Sequence, residues 1–274
     1  SPLPIAIASL GWGSIAGAIA AAVAAGIIGL TMAPVGGVVF AIAAVAPMAW
    51  YAHLVGLARE GADGSVEWYP LWRVFTAMVL ITPASLIACG VLLGLSIDDI
   101  AANLAETLVA IGVQDADGQT PDPDELLVAM RVYVRLMPIT LTMLWLSLLV
   151  FNLWLAGRIV RKSDRLRRPW EVLPEAPGLP AMLLAVLAVA VVLAFGDGSL
   201  ALAAGAVAGG VGMGFALQGF ATLHVLTRGN PARGLLLGTL YVATFVFSLP
   251  LLPVAAIGAA DSAFGLRRRR TGGA

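Results

Sequence analysis

The stretch 200–226, LALAAGAVAGGVGMGFALQGFATLHVL, contains no Asp, Glu, Lys or Arg. A helix that crosses the hydrocarbon core of a bilayer needs about 20 predominantly apolar residues, and this stretch is long enough to supply them. The rest of the chain has the same character, because 60% of its 274 residues are hydrophobic and only 12% are charged. Soluble domains carry about 25% charged residues. The sequence therefore predicts an integral membrane protein.

Apolar runs elsewhere predict further spanning helices, at residues 7–30, 38–57, 71–95, 132–155 and 180–195. The last apolar stretch, 234–266, has Pro250 and Pro253 at its centre, where proline interrupts a helix. It forms either one kinked helix or a hairpin of two short spans. We predict the hairpin, because it places the arginines before and after this stretch on one side of the membrane. The predicted fold class is an all-α polytopic transmembrane helical bundle of about eight spans, a single domain over residues 1–274.

The distribution of charge predicts the orientation of this bundle. Residues 97–130 contain eight acidic side chains and no Lys or Arg. Cytoplasmic loops of membrane proteins are enriched in Lys and Arg. We therefore predict that 97–130 is an extracytoplasmic acidic loop, that 157–179 is a basic cytoplasmic loop, and that both ends of the chain are cytoplasmic. The expected location is the bacterial inner membrane.

The side chains that define the cytoplasmic face are basic and stand next to apolar spans. They are Arg158, Arg161, Lys162, Arg165, Arg167, Arg168, Arg267, Arg268, Arg269 and Arg270. Aromatic residues accumulate near the same boundary, namely Trp50, Tyr51, Trp68, Tyr69, Trp72 and Trp170. Amphipathic rings favour the depth of the lipid headgroups, so we expect these rings at the membrane interface.

The acidic loop has the pattern of an amphipathic helix. Ser96 with Asp99 three residues later resembles a capping box, and apolar residues then recur at helical spacing up to Ile111. This helix is expected on the outer membrane surface or over the mouth of the bundle. Residues 115–120 predict a turn, and Asp122-Pro123 predicts the N-cap and first residue of the next helix.

Small residues form two patterns that favour close helix packing. In the sixth span, Gly205 with Gly209 and Gly210 with Gly214 form G-x-x-x-G pairs. This helix is expected at the centre of the bundle and the fifth at its periphery. In the first span a small residue occupies every fourth position, at Gly13, Gly17, Ala21, Ala25 and Gly29. That stripe predicts either packing inside the chain or docking to another membrane protein.

Polar residues at membrane depth are candidates for binding a solute, because they are expensive to place there. They are Asn152, Gln218, His224, His53 and Asp261. The alternative for Gln218 is a hydrogen bond between helices, and for His53 and His224 it is simple hydration near the membrane boundary. Asp261 could instead cap the last helical turn or pair with a basic residue. Amides both donate and accept hydrogen bonds, as a neutral polar solute requires. We therefore predict that Asn152 and Gln218 line one internal cavity.

The sequence carries no enzyme signature. Neither H-E-x-x-H nor G-x-S-x-G occurs, and the two histidines have no carboxylate at metal-ligand spacing. We predict no catalysis, no cofactor and no metal. Cys89 is the only cysteine, so an intrachain disulfide is excluded. The basic clusters are short and each abuts an apolar span, which argues against a nucleic-acid partner.

The run NLWLAGRIVR at 152–161 and RRPW at 167–170 together resemble the YybS-like family of bacterial integral membrane proteins, of alphaproteobacterial type, a domain of unknown function. Supporting stretches are PLP at 2–4, GWG at 11–13, LQG at 217–219 with His224, and 258–268 around Asp261. The resemblance covers essentially the whole chain. Members usually carry further hydrophobic sequence before the Pro-Leu-Pro segment, so the resemblance implies helix missing upstream of Ser1.

This family is distantly similar to the substrate-binding S components of energy-coupling-factor transporters. Those proteins bind a micronutrient and dock on a membrane partner through small residues of an early helix. The resemblance implies the same role for the stripe from Gly13 to Gly29. Our leading hypothesis is a transport-type membrane protein that binds a small solute without catalysis, with the lipid bilayer and such a membrane protein as partners. The alternative is a membrane scaffold whose basic inner loops recruit a cytoplasmic partner or anionic lipid.

Overall fold

The computed structural model describes residues 1–62, 64–114, 121–172, 174, 176 and 178–271. Helices account for 78% of the structure, so the predicted all-α class is confirmed. The helices are α1 (Leu3–Trp12), α2 (Ser14–Thr31), α3 (Pro34–Phe40), α4 (Ala46–Gly56), α5 (Leu71–Leu92), α6 (Ile97–Ala110), α7 (Pro123–Lys162), α8 (Met182–Ala194), α9 (Gly198–Leu226), α10 (Arg233–Phe247), α11 (Leu251–Phe264) and α12 (Leu266–Thr271). A short antiparallel hairpin, β1 (Ala58–Glu60) and β2 (Val66–Trp68), lies between α4 and α5.

Five helical segments among the described residues are long and apolar enough to cross a membrane, and they make this a membrane-embedded protein. They are Ser14–Thr31, Pro34–Gly56, Leu71–Leu92, Pro123–Lys162 and Gly198–Leu226. The three other predicted spans fold as α8, α10 and α11. Their 13, 15 and 14 residues fall short of the about 20 that a straight span needs.

The first predicted span is not one helix, and the prediction of a continuous span over 7–30 is wrong. Gly13 has φ +99°, a conformation that L side chains rarely adopt, and it separates α1 from α2. The two helices then pack against each other. A Cβ at Gly17 would lie 2.5 Å from the Ser9 Cβ, so only glycine allows this approach.

The second span begins earlier than predicted, because Pro34 occupies the first turn of α3 rather than a loop. Gly37, just before the predicted span, lies inside that helix and against the backbone of Gly29. Residues Ala41–Val45 form a π-helical turn that joins α3 to α4. The segment is therefore one irregular helix from Pro34 to Gly56.

Helix α9 is the central element of the bundle, as its glycines predict. Of its most apolar stretch of 18 residues, 61% is buried, the largest share among the five segments. A Cβ at Gly209 would overlap the backbone oxygen of Ile139 in α7, and one at Gly219 would overlap that of Val254 in α11. Helix α8 buries only Leu183 and Ala190, so its predicted peripheral position is confirmed as well.

The acidic part of the chain has the predicted helix boundaries. Ser96 Oγ accepts the Asp99 amide at 3.4 Å, and the Asp122 carboxylate accepts the Asp124 amide at 2.8 Å. The turn predicted at 115–120 lies outside the described residues. Helix α7 has 40 residues and is about 60 Å long at 1.5 Å per residue, so it extends beyond a hydrocarbon core of about 30 Å.

Candidate functional site

A cavity of about 840 Å³ lies between α5, α7 and α9 at the basic end of the molecule. One wall is formed by described residues of the connection from α7 to α8 (163–172, 174, 176 and 178–181), among them Arg168 and Trp170. Its volume falls within the range of about 300–1,000 Å³ that is typical of small-molecule sites. This cavity is the candidate functional site.

Each of the three helices contributes one face to the cavity. The spacing of the lining residues shows this: Leu71, Phe75 and Met78 from α5, Val150, Phe151, Trp154 and Gly157 from α7, and Leu217, Phe220, Ala221 and His224 from α9. Residues three, four and seven apart share a helix face. The walls are mostly apolar and aromatic because these faces belong to membrane-type helices.

A buried polar network fastens α9 to the last helices on one side of the cavity. The Gln218 amide nitrogen donates to the Asp261 carboxylate and to Ser262 Oγ, both at 2.9 Å, and its oxygen accepts the Leu179 amide at 2.8 Å. The Arg267 guanidinium lies 2.7 Å from the same carboxylate. Every polar group of the Gln218 side chain therefore has a partner within the protein.

Arg267 also holds the α7–α8 connection. It donates to the carbonyls of Pro174 at 3.0 Å and Ala176 at 2.9 Å. A Cβ at Gly178 would lie 2.5 Å from an Arg267 nitrogen, so the chain passes directly against this guanidinium. The contacts fix one end of the connection beside the cavity.

Arg168 fastens the other part of the same connection. Its guanidinium donates to the carbonyls of Tyr69 at 2.7 Å and Val55 at 3.3 Å, and it forms an ion pair with Glu171. Arg168 is 7% exposed and Arg267 is 8% exposed. Both side chains are therefore buried within the protein, and their predicted location on the cytoplasmic side stays a prediction. Backbone carbonyls accept hydrogen bonds from both guanidinium groups in place of water.

Arg158 has a different environment on the cavity lining. Its guanidinium lies 5.4 Å from the centroid of the Trp154 ring, within cation–π range. Among the described residues no carboxylate pairs with it. Across the cavity, His224 Nδ1 shares a hydrogen bond of 2.9 Å with the Phe220 carbonyl, and Tyr241 of α10 stacks on Phe220 at 4.8 Å between ring centroids.

The structure brings only some of the predicted polar residues to this cavity. Gln218 and His224 line it, whereas Asn152, His53 and Asp261 do not. The prediction that Asn152 and Gln218 share one cavity is wrong. Asn152 points towards α1, where its oxygen accepts from Ser1 Oγ at 3.0 Å, and its amide nitrogen donates to the Leu148 carbonyl at 2.7 Å.

His53 is engaged at another place, because its Nδ1 shares a hydrogen bond of 2.7 Å with Ser14 Oγ at the start of α2. The small-residue stripe of α2 is used inside the chain as well. Gly17 packs on Ser9, and Gly29 lies against Gly37 of α3. These contacts favour internal packing, the first of the two alternatives for that stripe.

Several cavity residues were missed as site residues at the level of sequence. Trp72 and Trp170 were expected only as interfacial rings, and Phe151, Trp154 and Tyr241 were not singled out, yet all five line the cavity. The helical spacing of Phe151, Trp154 and Arg158 was the available signal. Tyr51 was also misplaced by sequence, because it is fully buried and its hydroxyl lies 3.1 Å from Thr82 Oγ1.

A second pocket of about 440 Å³ lies at the acidic end. Arg131 pairs with Asp98 at 2.9 Å and Arg135 pairs with Asp197, so the two arginines connect α7 to the first turn of α6 and to the N-cap of α9. These side chains are largely exposed.

Within the described ranges, no group of three or more His, Cys, Asp or Glu side chains is placed to hold a metal ion. Comparison with family models, curated proteins and solved structures finds no match to the chain.

Proposed function

We propose that this chain is a transport-type membrane protein that binds a small solute in the cavity at its basic end, without catalytic chemistry of its own. The observation that carries the proposal is the cavity of about 840 Å³, to which three membrane-type helices each contribute one face. Such clefts between helices are a usual place for ligand sites.

Two features of the lining support binding over packing. The walls are held in place, because Arg168 of the α7–α8 connection bonds the Tyr69 carbonyl and Arg267 bonds the Pro174 carbonyl of that connection. A pre-formed site avoids the cost of ordering when a ligand enters. The few polar groups stand among apolar walls, which is the usual composition of a site that orients one solute.

The absence of catalysis is part of the proposal. Ser147 lines the cavity, but its hydroxyl donates to the Met143 carbonyl of its own helix at 2.7 Å. His224 Nδ1 donates a hydrogen bond to the Phe220 carbonyl. A hydroxyl nucleophile needs a base within hydrogen-bond reach, and the described lining does not pair these two groups.

The topology proposed for this function keeps the basic end in the cytoplasm and the bundle in the bacterial inner membrane. Helices α8, α10 and α11 then serve as short spans, for about eight in all, with locally thinned bilayer compensating for their length. The YybS-like resemblance, with its distant similarity to transporter S components, supports the transport class by analogy alone.

The test fills the cavity with a larger side chain on α9. Ala221 is half-buried and lines the cavity, whereas Ala203 is half-buried on the same helix and lines neither pocket. Each is replaced by Trp in protein reconstituted in phosphatidylcholine nanodiscs, and folding is checked by thermal unfolding. The proteins are dialysed against a bacterial small-molecule extract, and retained compounds are identified by mass spectrometry.

We expect the wild type and Ala203→Trp to enrich the same compound and Ala221→Trp to lose it. Equal enrichment by all three folded proteins would show that the cavity is not the binding site. No enrichment by the wild type would refute solute binding.

The scaffold alternative rests on a specific observation at the same end. Arg161 and Arg165 are exposed, and their guanidinium groups lie 5.1 Å from the Trp170 ring centroid and 4.7 Å from that of Trp12. Rings thus hold positive charges in place at the surface. Replacing Arg161, Lys162, Arg165 and Arg167 by Gln would abolish recruitment of an acidic partner, and it would leave solute retention unchanged.

A further inference from the structure

We propose that the solute of the basic-end cavity is an anionic amphiphile, an apolar chain that carries one compact carboxylate or phosphate head, and that Arg158 binds this head. The inference rests on the proposed function above and names the chemical class of its ligand. It follows from the composition of the walls, the charge balance of the lining and the order of residues along α7.

The walls favour an apolar chain. The cavity takes Phe75, Met78, Val150, Phe151, Trp154 and Phe220 from its three helices. A polar solute that left water for these walls would lose hydrogen bonds without replacement, and burial of an unpaired polar group is unfavourable. An alkyl or prenyl chain gains from the same walls, because burial of apolar surface is favourable.

The charge balance favours an anionic head. Arg168 pairs with Glu171, and Arg267 pairs with Asp261, so the charge of each of these lining arginines has a partner carboxylate. Arg158 lies on the same lining with its guanidinium over the Trp154 ring. A cation–π contact occupies the face of the guanidinium and leaves its five N–H donors available for an anion.

The order of residues along α7 sets the direction of the ligand. Arg158 stands nearest the basic end, Trp154 lies one turn further into the helix, and Phe151 lies about 10 Å from Arg158 at 1.5 Å per residue. Phe151 is 54% exposed and Trp154 is 37% exposed, so this side of the cavity is open along the helix. A head at Arg158 and a chain along Trp154 and Phe151 match the orientation of a lipid in the adjacent leaflet.

Three probes separate the head from the chain, with protein in phosphatidylcholine nanodiscs at neutral pH. They are bromine-terminated dodecanoate, bromine-terminated dodecanol and inorganic phosphate. Bromine quenches tryptophan fluorescence on contact, and Trp72, Trp154 and Trp170 line the cavity. We expect saturable quenching by the carboxylate probe, with the alcohol about tenfold weaker, a difference of about 1.4 kcal/mol. Inorganic phosphate should not compete at comparable concentration.

Variants test the role of Arg158. Arg158→Gln should lower the carboxylate affinity about tenfold to that of the alcohol, and Arg158→Lys should keep most of the preference because it keeps the charge. Arg165→Gln is the matched control, since Arg165 is exposed, lies over Trp12 and does not line the cavity. It should change neither affinity.

The outcomes separate this inference from the proposed function. Equal affinities for alcohol and carboxylate would overturn the anionic head, whereas a carboxylate preference that survives Arg158→Gln would overturn the role of Arg158. In either case the cavity remains a site if Ala221→Trp removes both probes. Displacement by inorganic phosphate at equal concentration would overturn the amphiphile in favour of a free anion. Quenching by neither probe would overturn the amphiphile, and the dialysis experiment then decides whether another solute binds.

Discussion

Replacing Trp145 by Phe should destabilise the bundle, because it removes the donor for a carbonyl that Pro47 leaves without its usual partner. Proline has no N–H, so the carbonyl four residues before Pro47, that of Ala43, cannot receive the standard helical hydrogen bond. In the structure the Trp145 indole N–H donates to the Ala43 oxygen at 2.7 Å. This bond connects α7 to the π-helical turn between α3 and α4.

The expected cost follows from the burial of Ala43, which is 9% exposed. A buried carbonyl without its donor costs about 1–3 kcal/mol. Phe keeps most of the apolar ring, so the loss of packing should be the smaller contribution. We expect Trp145→Phe to lower the free energy of unfolding by about 2 kcal/mol in total.

The assay is equilibrium denaturation in mixed micelles, applied to a double-mutant cycle. Pro47→Ala supplies a backbone N–H to the Ala43 carbonyl, so Trp145→Phe should cost about 1 kcal/mol less in that background. Trp154→Phe is the control for loss of an indole that makes no such bond. An equal cost of Trp145→Phe in both backgrounds would refute the explanation, since the carbonyl would then not depend on the indole.

Three further predictions concern topology and packing. In a Cys89→Ala background, Val113→Cys should react with an impermeant thiol reagent in intact cells, whereas Lys162→Cys and Arg270→Cys should react only after permeabilisation. The reverse pattern would invert the orientation. Labelling of Arg270→Cys in intact cells would refute the terminal hairpin. Gly210→Leu should destabilise the folded bundle by at least about 1–3 kcal/mol, because a Cβ there would already lie 3.0 Å from Pro83. Ala188→Leu on the exposed face of α8 should leave the unfolding temperature unchanged in a thermal assay. Equal shifts of the unfolding temperature would contradict the assignment of centre and periphery. Asp261→Asn should cost about 3–5 kcal/mol because it removes the carboxylate of a buried ion pair, with partial recovery in Asp261→Asn/Arg267→Gln. Arg59→Gln should cost at most about 1 kcal/mol because the Arg59–Glu67 pair is exposed, and similar losses for the two single variants would contradict the burial of the Asp261–Arg267 pair.

Much of the fold was readable from sequence because the signals are local. A run of apolar residues specifies a membrane-type helix by itself, so three of the five long segments were predicted within a few residues. The exceptions are the first span and α7, which extends beyond the predicted span 132–155 at both ends. Helix caps depend on one or two side chains, so Ser96 and Asp122 marked the starts of α6 and α7 correctly. The glycines of α9 indicated its central position, because only close neighbours require a surface without side chains.

The candidate site depended on which face each helix turns inward, and sequence does not specify that rotation for helices that are apolar all round. Asn152 follows Phe151 directly, and successive residues of an α-helix point about 100° apart, so one faces α1 while the other lines the cavity. Gln218 lines the cavity, but its contacts come from α11 and Leu179, which are distant in sequence.

Sequence by itself determined that this chain enters a membrane, where its long helices lie and which ends carry each sign of charge, because hydropathy and charge are properties of short segments. Tertiary structure alone decided that Gly13 breaks the first span and that Arg168 and Arg267 are buried and bond backbone carbonyls. It also left Arg158 on the cavity lining without a partner among the described carboxylates. The physical reason is that a charged side chain is placed by the carbonyls and carboxylates that reach it, and these come from segments up to 113 residues away.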